Sequence, residues 1–133
     1  MKSDARRVLL VEDDPTLAVG VTGALESFGY SVCAAVQTGE EAIATALELR
    51  PDLILMDINL KGEMDGVEAT EAINARSSVP VIYLSAQTNE ATTRKAKLTT
   101  HYGYLKKPFD PDELQSVIES TFHRFDNGCS QVA

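Results

Sequence analysis

The sequence is poor in aromatic residues and in cysteine. It has no tryptophan, its aromatic residues make up 6% of the chain, and it has two cysteines. Cys33 lies in a strand-like run and Cys129 near the end of the sequence, so the pair offers neither a disulfide framework nor a zinc-binding spacing. Stability must therefore come from an ordinary hydrophobic core, which 133 residues with 44% apolar content can form.

Long hydrophobic segments are also missing. The basic residues Lys2, Arg6 and Arg7 precede only the short apolar run Val8–Val11. A signal-peptide core needs about 7–15 apolar residues. No run approaches the roughly 18 apolar residues that cross a bilayer. We therefore expect a soluble protein of cytoplasmic localisation that makes no contact with a membrane.

Positive charge is scarce. Acidic residues outnumber basic ones by 20 to 12, which gives a formal net charge of -8. A surface with this excess of negative charge repels phosphate backbones and anionic lipids. The composition therefore disfavours direct nucleic-acid binding, and we expect protein partners instead.

Five short apolar runs, typical of β strands, alternate with helix-like stretches. Several of the runs are continuously apolar, as in parallel strands that are covered on both faces. The runs are Val8–Val11, Val32–Val36, Leu53–Met56, Val79–Leu84 and Tyr104–Leu105. This alternation predicts an α/β fold, a doubly wound parallel sheet of five strands with five helices on its two faces.

Residues that favour helix ends locate most of the helices. The capping residues are Asp14 for the first helix, Thr38 with Glu41 for the second, Asp65 for the third and Asp110 for the fifth. Pro15 suits the first turn of the first helix, and Gly29 suits its end. The fourth predicted helix, Thr88–Leu98, is polar and only weakly periodic.

Charged and polar residues follow four of the five predicted strands. The carboxyl ends of parallel strands share one edge of the sheet, where open α/β sheets carry their sites. The residues at these ends are Glu12, Asp13, Asp14, Asp57, Ser85, Ala86, Lys106 and Lys107. Each one alone is common, since acids after a strand often cap a helix and a lysine pair is usually solvated. Their order on alternating units indicates a single site.

Clustered carboxylates at such an edge require a cation. Two carboxylates about 4 Å apart repel by roughly 4 kcal/mol at an effective dielectric constant near 20. Oxygen ligands of this kind suit Mg2+, with Mn2+ as a possible substitute. A carboxylate such as Asp57 can also be a nucleophile toward a phosphoryl group. A metal ion, a lysine ammonium and a hydroxyl group can then neutralise and position that group.

Taken together, these segments resemble the receiver domain of two-component response regulators. The matching segments are Val8–Pro15, Leu53–Leu60, Asp65–Gly66, Val81–Ala86 and Gly103–Phe109. The resemblance implies a flavodoxin-like sheet of order 2-1-3-4-5, with the receiver over residues 6–126 and a short polar tail over 127–133. It also implies a signalling switch rather than a metabolic enzyme, one that catalyses its own phosphorylation from small phosphodonors and its slow hydrolysis.

The resemblance assigns the residues of the phosphoryl and metal site. Asp57 is implied as the phosphoacceptor. Asp13, Asp57 and the backbone carbonyl of Asn59 are implied as direct ligands of Mg2+, and Glu12 as a ligand through water. Asn59, together with Gln87, is implied to tune dephosphorylation.

The resemblance also assigns the residues that bind the phosphoryl group and respond to it. Ser85 and Lys107 are implied to hold the phosphoryl oxygens, and the small Ala86 leaves the approach to the site open. Tyr104 resembles the aromatic residue that moves when the serine does. The peptide bond between Lys107 and Pro108 is expected to be cis, as it usually is in this family.

The resemblance implies a histidine kinase or phosphotransfer protein as donor and a protein as downstream partner. A homodimer through the face of the fourth helix, fifth strand and fifth helix is a further expectation. Since only a short polar tail follows Phe125, we expect a stand-alone receiver. The chain departs from the family pattern at Lys61–Met64 and at Thr99–Tyr102, so the fourth helix and the choice of partner are the least constrained.

Three other interpretations are open at this point. The segment Asp57–Gly62 followed by Glu68 nearly has the spacing of a calcium-binding EF-hand loop, but Lys61 stands where an oxygen ligand is required. An aspartyl-phosphate hydrolase would carry an acid/base residue two positions after its nucleophile, where this chain has Asn59. A scaffold that signals without phosphorylation is disfavoured by the complete set of predicted site residues.

Overall fold

The computed structural model describes residues 5–60, 62–85 and 103–126. The strands in these ranges are β1 (Arg7–Val11), β2 (Ser31–Val36), β3 (Leu53–Asp57), β4 (Val81–Ser85) and β5 (Gly103–Lys106). The helices are α1 (Pro15–Ser27), α2 (Gly39–Leu49), α3 (Gly66–Asn74) and α4 (Pro111–Asp126). The fourth predicted helix, Thr88–Leu98, lies outside the described residues, and α4 is therefore the helix predicted as the fifth.

The five strands form one parallel sheet in the order β2-β1-β3-β4-β5. The predicted flavodoxin-like order is confirmed. In this order β1 and β3 are neighbours although a strand and two helices separate them in sequence. The chain reverses its winding direction there, and the carboxyl ends of β1, β3, β4 and β5 come to lie side by side.

The sheet is apolar on both faces, which explains the continuous apolar runs. In β1, Leu9 packs with the cluster under α2 and α3, whereas Leu10 packs with the cluster under α1 and α4. In β3, Ile54 and Leu55 divide between the same two clusters. Because side chains alternate across a strand, both sets are fully buried, and each such side chain contributes about 1.5–3 kcal/mol.

The predicted capping residues lie where the helices begin. The carboxylate of Asp14 accepts hydrogen bonds from the backbone N–H groups of Thr16 and Leu17 at the start of α1. Asp65 and Glu68 form a reciprocal capping box at the start of α3. These caps fix the point at which the chain leaves the sheet edge. Within the described part of the chain, no helix is long and apolar enough to cross a bilayer.

Gly66 allows α3 to begin directly against the end of β3. Its backbone N–H donates to the carbonyl of Ile58 at 3.0 Å. A Cβ atom at this position would lie 2.1 Å from the carbonyl oxygen of Asp57 and 2.9 Å from its carbonyl carbon. These neighbours are backbone atoms, which cannot rotate away. Glycine is therefore required here by contact rather than by an unusual φ angle.

Replacing Gly66 with alanine is expected to displace the end of β3 and to lower the free energy of unfolding by about 1–3 kcal/mol, as overpacking does. The matched control is Gly23→Ala in α1, where nothing lies within 4 Å of the added methyl group. That change should raise stability by about 0.5–1 kcal/mol. Urea unfolding of both variants checks the pair, and a Gly66→Ala protein as stable as the wild type would contradict the contact argument.

Candidate functional site

Three acidic side chains lie together at the carboxyl edge of the sheet. Glu12 and Asp13 directly follow β1, and Asp57 is the last residue of β3. One ligand atom from each of the three lies within 4.8 Å of the others. Glu12 and Asp57 are only 2% and 3% exposed, so water screens their mutual repulsion poorly. The arrangement favours a bound cation.

Lys107 supplies one positive charge to this cluster. It follows β5 at the same edge, because β5 lies beyond β4 in the sheet. Its Nζ atom donates to Glu12 Oε1 at 2.7 Å and to Asp57 Oδ2 at 3.3 Å. The Lys107 backbone N–H donates to the carbonyl of Ser85 at 2.7 Å, which ties the loop after β5 to the end of β4. Two of the three carboxylates therefore share one ammonium.

Backbone N–H groups hold the carboxylates in place. Asp57 Oδ1 accepts from the N–H of Asn59 at 2.9 Å, and Glu12 Oε2 accepts from the N–H of Asp14 at 3.1 Å. Each carboxylate thus has one oxygen on a backbone donor and the other on Lys107. Such hydrogen bonds stabilise the charged form and restrict the rotamers of both side chains.

Burial changes the protonation of the site. It raises the pKa of Glu12 from 4.5 to about 7, with the hydrogen bond from Lys107 opposing the rise and the charge of Asp57 adding to it. For Lys107, burial lowers the pKa, but Glu12 and Asp57 together outweigh burial and leave it raised. Without another cation, the negative charge of the cluster is therefore costly near neutral pH.

Ser85 and Tyr104 lie on the neighbouring strands β4 and β5. Ser85 ends β4 and is 2% exposed. It lies opposite Lys106 in the pairing of β4 with β5. Tyr104 is half-buried on β5 and packs against the core cluster under α2 and α3.

The structure brings together the predicted residues Glu12, Asp13, Asp57 and Lys107. Asn59 contributes a backbone N–H to the site, while the metal-binding role predicted for its carbonyl stays a prediction. Ala86 and Gln87 lie outside the described residues, so the predictions for both stay untested. The Lys107–Pro108 peptide bond is cis, as expected.

Two features of the site were not predicted from the sequence. One is the ion pair between Glu12 and Lys107, which is the shorter of the two contacts of Lys107. The two residues are 95 positions apart, and nothing local in the sequence signals their contact. The role toward the metal through water that was predicted for Glu12 stays a prediction. The requirement for Gly66 was also missed, because α2 begins with a glycine after a capping residue as well, and only the contact with the Asp57 backbone sets Gly66 apart.

A calcium-binding EF-hand loop does not agree with the structure. Such a loop lies between two helices. Here Asp57 is the last residue of a buried parallel strand, and the apolar residues before it pair with β1 and β4.

The fold and site define a class of doubly wound α/β proteins with an acidic, lysine-paired pocket at the switch point of the sheet. The family model of the response regulator receiver domain matches residues 8–119. The chain therefore belongs to the response regulator receiver domain family.

Among curated proteins, the chain is similar to the DNA-binding response regulator MtrA of Mycolicibacterium smegmatis, with 34% identity over 124 residues. That alignment covers 93% of this chain and 54% of MtrA. Transcriptional regulatory protein PdtaR of Mycobacterium tuberculosis is 30% identical, with 90% of this chain and 58% of that protein covered. The chain thus spans about half the length of the curated relatives it matches.

Among solved structures, the signal receiver domain of a modulated diguanylate cyclase from Desulfovibrio desulfuricans is 38% identical with a TM-score of 0.89, covering 94% of this chain and 99% of that one. The receiver domain of sensor histidine kinase PA1611 from Pseudomonas aeruginosa is 34% identical with a TM-score of 0.82. The alignment covers 90% of this chain and 98% of that receiver domain. That structure has a magnesium ion coordinated in its active-site cleft.

Replacing Lys107 with methionine should destabilise the metal-free protein more at pH 8 than at pH 5.5. A carboxyl group whose folded pKa is raised from 4.5 to about 7 contributes stability below 4.5 and loses that contribution as pH rises through 7. At pH 8 the variant must either keep the buried Glu12 charge without its cation or bind a proton, since the hydrogen bond from Lys107 no longer lowers the pKa of Glu12, and this costs about 1–3 kcal/mol. At pH 5.5 Glu12 is protonated and the loss is smaller.

Urea unfolding in EDTA at both pH values measures this difference. Lys106→Met is the matched control, because Lys106 is the exposed neighbour and carries the same charge. It should change stability little at either pH. An equal loss at pH 8 and pH 5.5 for Lys107→Met would contradict the coupling to Glu12.

Proposed function

We propose that this receiver accepts a phosphoryl group from a histidine kinase, or from a phosphotransfer protein, onto Asp57 in a Mg2+-dependent reaction. The observation that carries the proposal is the position of the Asp57 carboxylate. It is buried, held by the Asn59 N–H at 2.9 Å, and contacted by the Lys107 ammonium at 3.3 Å. A nucleophile and a cation for the transferred group are therefore already oriented toward each other.

The acidic cluster has the chemistry of a magnesium site. Mg2+ prefers carboxylate and carbonyl oxygens and keeps several of its waters. Asp13 and Asp57 would bind it directly, the Asn59 carbonyl would complete the protein ligands, and Glu12 would act through water. Mn2+ accepts the same ligands. The ion would neutralise negative charge on the phosphoryl oxygens during transfer.

In the proposed reaction, a carboxylate oxygen of Asp57 attacks the phosphorus of a phosphohistidine. The new bond joins that oxygen to phosphorus, and the phosphorus–nitrogen bond breaks, with its electron pair staying on the imidazole. The product is an acyl phosphate. Lys107 would hold one phosphoryl oxygen and the Ser85 hydroxyl another, while the small Ala86 leaves the approach open. Small phosphodonors would react in the same way, so the domain would catalyse its own phosphorylation without being a metabolic enzyme.

Phosphorylation would be transmitted by the strand ends beside Asp57. When Ser85 moves toward the phosphoryl group, the half-buried ring of Tyr104 can occupy the space it leaves. Such a two-state rearrangement would change the surface formed by β5, α4 and the predicted helix Thr88–Leu98. We assign the downstream protein partner, and a possible homodimer, to this face.

For the whole protein, we propose only the kind of partner and not its identity. The two curated relatives, MtrA and PdtaR, are roughly twice the length of the aligned region, and MtrA is named as DNA-binding. The excess of acidic residues disfavours direct nucleic-acid binding by the receiver itself. That this receiver acts as a stand-alone protein stays a prediction, which the size of the protein isolated from its native source would test.

Mg2+ is expected to raise the melting temperature of the wild-type protein, because a ligand at ten times its Kd stabilises the folded state by about 1.4 kcal/mol. Asp13→Asn should be more stable than the wild type in EDTA, since one repelling charge is gone, and should lose most of the response to Mg2+. Asp14→Asn is the control, since asparagine caps as well as aspartate. Thermal melts with and without Mg2+ check this, and an equal response in both variants would place the metal elsewhere.

Incubation with acetyl phosphate and Mg2+ is expected to add one phosphoryl group to the wild-type protein, seen as a single adduct in the intact mass. Asp57→Asn, and wild-type protein in EDTA, should show none. No adduct on folded wild-type protein, with phosphoramidate failing as well, would favour the phosphorylation-independent scaffold.

The decay of the adduct tests whether Asn59 and Gln87 tune dephosphorylation. Replacing both residues should change the lifetime of the phosphoryl group on Asp57.

The Tyr104→Ala variant should still accept the phosphoryl group on Asp57. It should not show the conformational change in β5 and α4 that phosphorylation causes in the wild type. Amide hydrogen exchange of residues 103–126, before and after phosphorylation, measures this without a partner protein. The wild type and the control Tyr104→Phe, which keeps the ring, should both respond to phosphorylation. A full response in Tyr104→Ala would exclude the aromatic step.

A further inference from the structure

A second polar pocket lies at the edge of the sheet opposite to Asp57. Its volume is about 290 Å3, near the lower limit of small-molecule sites. The polar and turn residues that line it are Arg50, Pro51, Arg76, Ser77, Ser78 and Val79. It lies where α2 and α3 end and immediately before β3 and β4 begin. The pocket therefore shares no residue with the phosphoryl site.

The two arginines of this pocket, Arg50 and Arg76, have no counter-ion among the residues that the structure describes. Neither guanidinium group forms a hydrogen bond or an ion pair with any residue in the described ranges. Both arginines are exposed, so their guanidinium groups can be reached from solvent. Asp52, two residues after Arg50, accepts instead from the backbone N–H of Arg7 at 2.7 Å. Two positive side chains thus line one pocket, and neither has an ion pair within the described part of the chain.

The backbone at Arg50 adds an independent observation. Arg50 caps the end of α2 with a φ of 50°, in the left-handed region that glycine adopts at no steric cost. A side chain in this conformation lowers stability relative to glycine. The guanidinium of Arg7 donates to the carbonyls of Leu49 and Arg50 at 2.7 and 3.2 Å, so the Arg50 side chain is not needed to satisfy the end of the helix.

The simplest structural explanation for the two arginines is charge complementarity with the negative helix ends. That explanation does not account for an arginine at a glycine position, or for both side chains facing the same pocket as Ser77 and Ser78. Two guanidinium groups and hydroxyl groups are the donors that recognise a phosphate group, because their planar N–H pairs match its oxygens.

We propose that this pocket, built around Arg50 and Arg76, binds a small molecule that carries a phosphate group. The pocket is too small for a folded partner or a nucleic acid, and its apolar residues Pro51 and Val79 can contact a short organic body. Pro51 precedes β3 and Val79 precedes β4, the strands that end at Asp57 and Ser85. The ligand would thus contact the start of both strands that carry the phosphoryl site.

A titration of the full chain with inorganic phosphate, followed by 15N NMR without Mg2+ and at constant ionic strength, tests the proposal. Saturating shifts are expected at the amides of residues 46–50 and 76–79. Arg50→Gln and Arg76→Gln should each weaken binding about tenfold or more, as expected for loss of charge-assisted hydrogen bonds. Lys106→Gln, an equal change of charge at the opposite edge, should leave these shifts unchanged.

Arg50→Gly separates ligand binding from a structural role. If the arginine is retained for binding, this variant melts at the same temperature as the wild type or higher, and it loses the phosphate-dependent shifts. A lower melting temperature would make Arg50 a structural residue and overturn the proposal. So would linear, unsaturated shifts with phosphate. Succinate that binds as tightly as phosphate would overturn the assignment to a phosphate-bearing ligand.

Discussion

The ammonium group of Lys107 lies between two buried carboxylates, and the geometry of the whole site depends on this ion pair. Its partners, Glu12 and Asp57, are 95 and 50 residues away in sequence. They meet only because β1, β3, β4 and β5 are adjacent and parallel, so that their carboxyl ends share one edge. A shift of any of these strands would separate the charges. The core that holds the strands in register is therefore also what makes the site.

The charges of the described side chains at this edge do not sum to zero. Among the described residues, the ionised forms of three carboxylates and one ammonium sum to two negative charges, the charge that a divalent cation would balance. Burial raises the pKa of Glu12 to about 7, so near neutral pH a proton can carry part of this role. A metal ion that binds here must compete with that proton, and binding should therefore strengthen as pH rises. Under the proposed function, the same excess of negative charge would repel a phosphoryl group unless a cation is bound with it.

Much of the fold could be predicted from the sequence because its signals are local. Asp14, Thr38, Asp65 and Asp110 each cap the helix that follows, and their side chains reach only a few residues along the chain. The apolar runs are continuous because both faces of the sheet are covered. The sheet order and the roles of Asp13, Asp57 and Lys107 came from the resemblance to a family rather than from these local signals.

Other features could not be predicted because they depend on distant contacts. The preference of Lys107 for Glu12 depends on side-chain positions across two strands. The need for glycine at Gly66 follows from a 2.1 Å approach to Asp57, which no spacing in the sequence reveals. The clamp of Arg7 on the end of α2, and the left-handed Arg50 that it holds, likewise require the three-dimensional arrangement.

The most direct test of the central claim is a crystal structure of the protein with Mg2+ and beryllium trifluoride, which imitates a phosphoryl group on a carboxylate. We expect beryllium bound to a carboxylate oxygen of Asp57, with the Nζ atom of Lys107 within hydrogen-bond distance of a fluoride. We also expect Mg2+ to be held by Asp13, Asp57 and the carbonyl of Asn59. Beryllium at another residue, or a Lys107 that stays paired with Glu12 alone, would contradict phosphoryl acceptance by Asp57 with Lys107.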